Sequence, residues 1–296
     1  MADYTERIGV LLKVPVVAAR VAGGQHGYRH LTATLADGRE VFVKAAGPGH
    51  AAASTTGAST TGAFAAEANG LRWLAEAGAV PVPEVLGTDD GLLVIQLLAP
   101  GRPSPEAARE FGAGLARMHA AGAPTFGAPW PGFIASLPLD NACRPGTEWA
   151  DWYVSRRIVP YLRKASEVGA LSPADISLVE AVAARAAELA GPPEPPSRIH
   201  GDLWSGNVLW AGGRGWLIDP AAHGGHRETD LAMLALFGAP YADQIMRGYT
   251  QTAPLADGWR ERVPLHQLHP LLVHACLFGA SYASRVNAAA RAALAA

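Results

Sequence analysis

The chain has 296 residues, with 24 Lys and Arg against 26 Asp and Glu and a formal net charge of −2, so no basic stripe invites nucleic acid and no charge run marks a tail. Its two cysteines, Cys143 and Cys276, have no CxxC neighbour, a spacing that argues against zinc or a disulfide framework and fits a reducing cytosol. No signal pattern opens the chain and the longest apolar run, near Leu271 to Ala280, is broken by His274, so the expectation is a cytoplasmic protein with neither membrane nor nucleic-acid partner.

From Val14 to Lys44 the pattern is β: Val16 to Val21, a turn at Gly23-Gly24, Tyr28 to Leu35, then Glu40 to Lys44 after Asp37-Gly38, a strong hairpin signal. Glycines at 23, 24 and 27 would let backbone amides approach an anion, although most hairpin glycines only make turns. Residues 45–63 are small, polar and without period, which predicts a mobile loop. Phe64, Leu71 and Leu74 then carry helical spacing around Glu67. A second hairpin, Val82 to Thr88 and Leu92 to Leu98 about Asp89-Asp90-Gly91, completes a small first lobe, residues 1–98, of five antiparallel strands and one helix. Gln96-Leu97-Leu98 is the expected hinge into residues 99–296, where an adenine would find backbone donors and acceptors.

The larger lobe reads as mainly helical. Ser104-Pro105-Glu106 supplies an N-cap, a proline at the first helical position and an acid in the first turn, and Phe111, Leu115 and Met118 keep one apolar face. Trp130, Phe133, Trp149, Trp152 and Tyr153 either line a sugar pocket or fill core, core being the commoner fate. Helices are expected over Glu148 to Lys164, Ser172 to Ala190, Tyr241 to Thr250 and Leu265 to Ala295. A proline-rich linker, Pro192 to Pro196, leads into the stretch that carries the chemistry.

That stretch is His200-Gly201-Asp202-Leu203-Trp204-Ser205-Gly206-Asn207, followed by two short apolar runs joined through Gly212-Gly213 and ending at Asp219. If the hairpin closes about Gly213, Asn207 and Asp219 meet at its open end with Asp202 one loop earlier. Hard divalent cations choose such carboxylate and amide oxygens. An Asp, an Asn five residues on and a second Asp beyond a hairpin is the arrangement of phosphoryl-transferring kinases, in which a strand Lys and a helix Glu, here Lys44 and Glu67, clamp the nucleotide phosphates. About ten residues separate Asp219 from the next helix, leaving no room for a long activation loop, and Gly201 stands where protein kinases carry Arg, so a protein kinase is not expected. Asp230 is expected to hydrogen-bond the catalytic-loop backbone rather than metal.

At this point the sequence resembles the fructosamine kinase family, a branch of the aminoglycoside-phosphotransferase and choline-kinase group. The resemblance rests on His200 to Asn207 with Trp204 after Asp-Leu, Asp219-Pro220-Ala221, Gly225-His226-Arg227-Glu228 running into Asp230-Leu231-Ala232-Met233, and Leu277-Phe278-Gly279 with Tyr282. It implies an α+β, bilobal protein-kinase-like fold and a monomer that uses ATP and Mg2+ to phosphorylate the 3-hydroxyl of small-molecule or protein-linked ketosamines. On that analogy Asp202 is the base, Asn207 and Asp219 hold the metal, and Gly23, Gly24, Lys44, Glu67, Gln96 and Leu98 meet the nucleotide. Trp204, His226 and Glu228 would meet the acceptor, Trp204 across a sugar face and Glu228 against a protonated amine. The redox-active cysteine that some eukaryotic members carry in the Gly-rich loop is absent, and Gln96 replaces a frequent acid in the hinge. A kinase of the same fold acting on an aminoglycoside or amino alcohol, and a nucleotide-binding pseudokinase, are the competing readings.

Overall fold

The computed structural model describes residues 2–25, 27–47, 62–142 and 145–296. Strands β1 (Val16–Gln25), β2 (Tyr28–Leu35), β3 (Glu40–Ala46), β4 (Val85–Asp89) and β5 (Leu92–Gln96) form one antiparallel sheet in the order β1-β2-β3-β5-β4. Alternation sorts their side chains onto two faces. Leu31, Ala33, Val41, Val43, Leu92 and Val94 share one face with Ile8 of the N-terminal helix α1 (Ala2–Leu12). Leu93 and Ile95 of the other face pack on Phe64, Ala68 and Leu71 of α2 (Ala63–Ala75), and Lys44 stands on that second face.

Three expectations change here. Helix α1, which closes the outer face of the sheet, replaces an unassigned N-terminus. Gly23 and Gly24 do not make a turn; they extend β1, paired with His30 and Arg29 after a bulge. Of the expected loop 45–63, Ala45 and Ala46 belong to β3 and Ala63 to α2, whereas residues 48–61, like His26 and Cys143, lie outside the described residues.

Beyond β5, α3 (Pro105–Ala120) starts as its sequence requires, Ser104 Oγ accepting from Ala107 N–H at 3.1 Å. A short hairpin, β6 (Gly132–Ile134) and β7 (Leu137–Leu139), precedes α4 (Trp149–Tyr153), which runs through one π turn into α5 (Val159–Glu167). The expected helix 172–190 is divided at Arg185 into α6 (Pro173–Ala184) and α7 (Ala186–Leu189). Strand β8 (Ser197–Ile199), the hairpin β9 (Val208–Ala211) and β10 (Arg214–Leu217), and β11 (His223–Gly225) frame the motif. Helices α8 (Arg227–Phe237), α9 (Ala242–Thr252), α10 (Trp259–Phe278) and α11 (Ala283–Ala295) complete the lobe, with Gly279 at φ +71 ending α10 inside the expected continuous stretch. Trp149, Trp152, Tyr153 and Tyr161 are buried among α10 and α11, so these aromatics are core. Among the described residues no helix is long and apolar enough to cross a membrane, and Cys276 is buried and free.

Ile8 is fully buried between α1 and the sheet. Truncating it leaves a cavity that the sheet cannot collapse into, so Ile8→Ala is expected to lower the unfolding free energy by about 2–4 kcal/mol. Denaturant titration measures this, and a change below about 0.5 kcal/mol would mean that α1 is not part of the folded core.

Candidate active site

The β9–β10 hairpin turns at Gly212 and Gly213, both at positive φ (55° and 72°), the geometry a two-residue turn needs to follow the strand twist. Val208 therefore pairs with Leu217 at the open end, and Asn207 and Asp219 come together just beyond it. Asn207 Nδ2 donates to the Asp202 carbonyl at 2.8 Å, to Asp202 Oδ2 at 3.1 Å and to the Asp219 carbonyl at 3.5 Å. Asp219 adopts φ +53, a left-handed conformation that Asp tolerates better than most residues.

Lys44 reaches across to the same point. Its Nζ lies 2.8 Å from Glu67 Oε1 and donates as well to Asp219 Oδ1. Burial by itself disfavours the ammonium, but Glu67 and Asp219 outweigh it and keep Lys44 charged well above the neutral range. Burial and the neighbouring Asp219 push the Glu67 carboxyl upward against the pull of Lys44. Asp219 is held low because Lys44 overcomes its burial.

The catalytic loop is fixed from beneath. Asp230 is fully buried and accepts from His200 N–H at 2.7 Å and Gly201 N–H at 2.9 Å, with His119 Nε2 at 3.1 Å and Tyr249 Oη in turn 2.8 Å from His119 Nδ1. Asp230 thus does what the sequence suggested, binding loop backbone. Asp202 N–H donates to His200 Nδ1 at 3.2 Å, so the proton of that buried, neutral ring resides on Nε2, 2.9 Å from the Ile218 carbonyl. Gly201 sits at φ +81, and a Cβ there would strike the Ala221 carbonyl, which is why no Arg can stand in this position. Burial lifts the Asp202 carboxyl to about 7; the Asn207 hydrogen bond opposes the rise and Asp219 and Asp230 add to it.

These groups open into one cavity of about 160 Å³. Lys44, Glu67, Asp202, Asn207 and Asp219 form its charged wall, and Trp130, Phe133 and Trp204 stand with them around the rim. Trp204 remains 37% exposed, its ring lying over Gly206 and edge-on to Phe237 at 6.3 Å. With Nδ2 engaged, Asn207 has only Oδ1 left to offer, and Oδ1 together with the Asp219 carboxylate is a hard-oxygen donor pair that fits Mg2+.

Tyr28 and His30 also line the cavity and were not singled out by sequence. A signal existed: counting back from the Asp37-Gly38 turn places His30 opposite Lys44, the observed pairing, and hence on its face of the sheet. Gly23, Gly24, Gln96 and Leu98 are not in the cavity wall. The Gln96 N–H is engaged with the Glu84 carbonyl at 2.9 Å, while Leu98 follows the end of β5.

His226 and Glu228 do not line this cavity. The His226 side chain caps α8, accepting from Glu228 N–H at 3.2 Å, and both residues are buried, 3% and 2% exposed, away from the cavity. Glu228 takes a two-pronged contact from Arg262, Nη2 at 2.6 Å and Nε at 2.9 Å. His226, Glu228 and His266 do place ligand atoms within 4.8 Å of one another, but a metal beside the Arg262 guanidinium would meet like charge, so the cluster is an ion pair holding α8 to α10. The sequence misled because the helix begins here and turns the side chains inward.

Burial alone would raise the Glu228 carboxyl, but His266 and Arg262 outweigh it and hold it at about 2. The folded value lies below the unfolded one, so the pair's contribution is complete above about pH 4.5 and is lost as pH falls toward about 2. Glu228→Gln should therefore lower stability by about 3 kcal/mol at pH 7, a gap that closes as the pH falls through that window. Parallel denaturant titrations test this; a raised acceptor KM without loss of stability would return Glu228 to the substrate site.

The family model described as fructosamine kinase matches residues 18–296. A "probable ketoamine kinase" of Klebsiella aerogenes is 36% identical over 225 residues, 74% of this chain and 76% of the relative. The crystal structure of a putative fructosamine-3-kinase from Thermobifida fusca is 50% identical, covers 100% of both chains and superposes with a TM-score of 0.93. The choline kinase LicA of Streptococcus pneumoniae, at 15% identity with a TM-score of 0.62 and coverage of 100% of this chain and 99% of its own, shares the protein-kinase-like fold alone. The chain belongs to the fructosamine kinase family, phosphotransferases with a hydroxyl group as acceptor.

Proposed function

We propose that this chain transfers the terminal phosphoryl group of MgATP to the 3-hydroxyl of a ketosamine, the adduct left when a sugar glycates an amine. The observation that carries the reading is the meeting of Lys44, Glu67, Asp202, Asn207 and Asp219 in one cavity. The family supplies the acceptor class, and LicA, a fold neighbour, has been solved with AMP. The rim speaks against a polycationic acceptor such as an aminoglycoside, because Trp130, Phe133 and Trp204 make it aromatic rather than acidic.

In this mechanism Lys44, held by Glu67, meets the phosphate chain, and the backbones of Gly23, Gly24 and the Gln96 to Leu98 segment are assigned to the nucleotide. Asn207 Oδ1 and the Asp219 carboxylate hold Mg2+, which when bound neutralises charge on the transferring phosphoryl group. Asp202 orients the acceptor hydroxyl and takes its proton late, since even a carboxyl whose pKa is lifted to about 7 is too weak a base to deprotonate an alcohol outright. Its elevated affinity for a proton favours that late transfer. A phosphate at carbon 3 becomes a good leaving group once the neighbouring carbonyl enolises, so the product loses inorganic phosphate, and water then releases the free, unglycated amine from the imine that remains.

A panel of fructosamine, ribulosamine, aminoglycoside and amino alcohol, read by ADP release and by the mass gain of one phosphoryl group, tests the assignment, with Asp202→Asn as its control. Ketosamines should gain the phosphoryl group, and Asp202→Asn should bind MgATP nearly normally yet lose transfer by a factor on the order of 100 or more. Transfer to aminoglycosides alone, or wild-type turnover in the variant, overturns the reading.

Trp204 supplies the acceptor test. Its indole is exposed at the rim two residues after Asp202, and an indole covers the C–H face of a sugar well. Losing a stacked ring costs about 1–3 kcal/mol, so Trp204→Ala should raise the KM for a fructosamine about tenfold or more while the KM for ATP stays within about a factor of three. Equal loss for both substrates would make the ring structural.

A further inference from the structure

Strand pairing puts His30 directly opposite Lys44, and directly opposed residues of an antiparallel pair present their side chains on the same face. The imidazole thus enters the cavity beside the ammonium that Glu67 and Asp219 hold. Phe42, two residues before Lys44 on that face, packs against the ring with centroids 5.4 Å apart and an interplanar angle of 55°. Packing fixes the ring's orientation, yet neither ring nitrogen has a hydrogen-bond partner among the described residues. Burial and the nearby Lys44 lower the ring's pKa while Asp219 opposes, so the imidazole is neutral at pH 7 and carries one N–H donor. A neutral donor can stand next to Lys44 without repelling it.

We infer that His30 is a phosphate-contacting residue of the nucleotide site, its ring N–H donating to a phosphate oxygen of the nucleotide alongside the Lys44 ammonium. The inference rests on the nucleotide reading above and adds a second, uncharged donor from β2 that the kinase motifs do not include. It separates His30 from a residue that merely fills space on Phe42, because the contact discriminates a phosphorylated nucleotide from its nucleoside.

The test is calorimetric binding of MgATP and of adenosine to the wild-type chain, His30→Phe and His30→Gln. Phe keeps the packing on Phe42 and removes the N–H; Gln restores a donor. His30→Phe should weaken MgATP about tenfold, as expected for one hydrogen bond to a charged acceptor, with adenosine unchanged within about twofold and His30→Gln recovering part of the loss. Unchanged MgATP affinity in His30→Phe, or equal weakening of MgATP and adenosine accompanied by a lower Tm, overturns the inference while leaving the proposed function intact. Failure of the wild-type chain to bind MgATP would bring down the proposed function and this inference together.

Discussion

A buried ammonium is the constraint on which the site depends. Lys44 is 8% exposed, and an uncompensated charge at such a position costs about 3–5 kcal/mol, so the fold must bring it partners. It takes one from α2 and one from the segment beyond the β9–β10 hairpin, Glu67 and Asp219, which lie 23 and 175 residues away in sequence. The same contact therefore seats the helix against the sheet, joins the sheet to the larger lobe and holds Asp219 close to Asn207. Two carboxylates around one ammonium leave a net negative site, and Glu67 absorbs the excess through its raised proton affinity. Asp219 is the more exposed of the two, at 39% against 17% for Glu67.

The second anchor is Asp230, a carboxylate with no exposure whose bonds go to backbone N–H groups and a histidine rather than to the cavity. It converts a loop into a rigid platform. Hydrogen bonds from two successive amides fix the peptide planes at His200 and Gly201, and the His200 ring then ties Asp202 to the Ile218 carbonyl on the far side of the hairpin. The position of Asp202 so becomes a property of buried groups. The Asp202 carboxylate can sit partly open to the cavity because the atoms that orient it are closed to solvent.

Legibility in the sequence followed range. The hairpins about Asp37-Gly38, Asp90-Gly91 and Gly212-Gly213, the α3 cap and the spacing from Asp202 to Asp219 are local patterns that appear where the residues suggested, with the Gly212-Gly213 turn bringing Asn207 to Asp219 as geometry required. Tyr4, Ile8, Leu11 and Leu12 carry helical spacing too, but a reading aimed at signal segments passes over it, and only the apolar outer face of the sheet explains why that helix must exist. Strands β8 and β11 are three residues each, too short for any period to register. Direction was the harder problem. His226 and Glu228 adjoin the motif in sequence, yet the first turn of α8 points them at Arg262 and α10, a choice made by partners more than 30 residues away. His30 is the reverse case, distant from the motif in sequence and placed at the site by strand register.

The cavity divides by chemistry as well as by position. Its charged wall is built from side chains whose partners are buried, and a change there must disturb at least two elements at once, as Lys44, Asn207 and Asp219 each do. Its aromatic rim is built differently. Trp130 and Phe133 flank or belong to the short β6–β7 hairpin, and Trp204 projects from the loop just before a three-residue turn, its ring lying over Gly206 and edge-on to Phe237. The bonds that hold Lys44, Asn207 and Asp202 run between charged and amide groups, not through Trp130, Phe133 or Trp204. Trp204 is the point where the two meet: its backbone carbonyl accepts from Asn207 N–H at 2.9 Å, so the indole is displayed from the same turn that aims the Asn207 carboxamide. One backbone hydrogen bond thereby ties the position of the ring to that of the carboxamide that bonds Asp202.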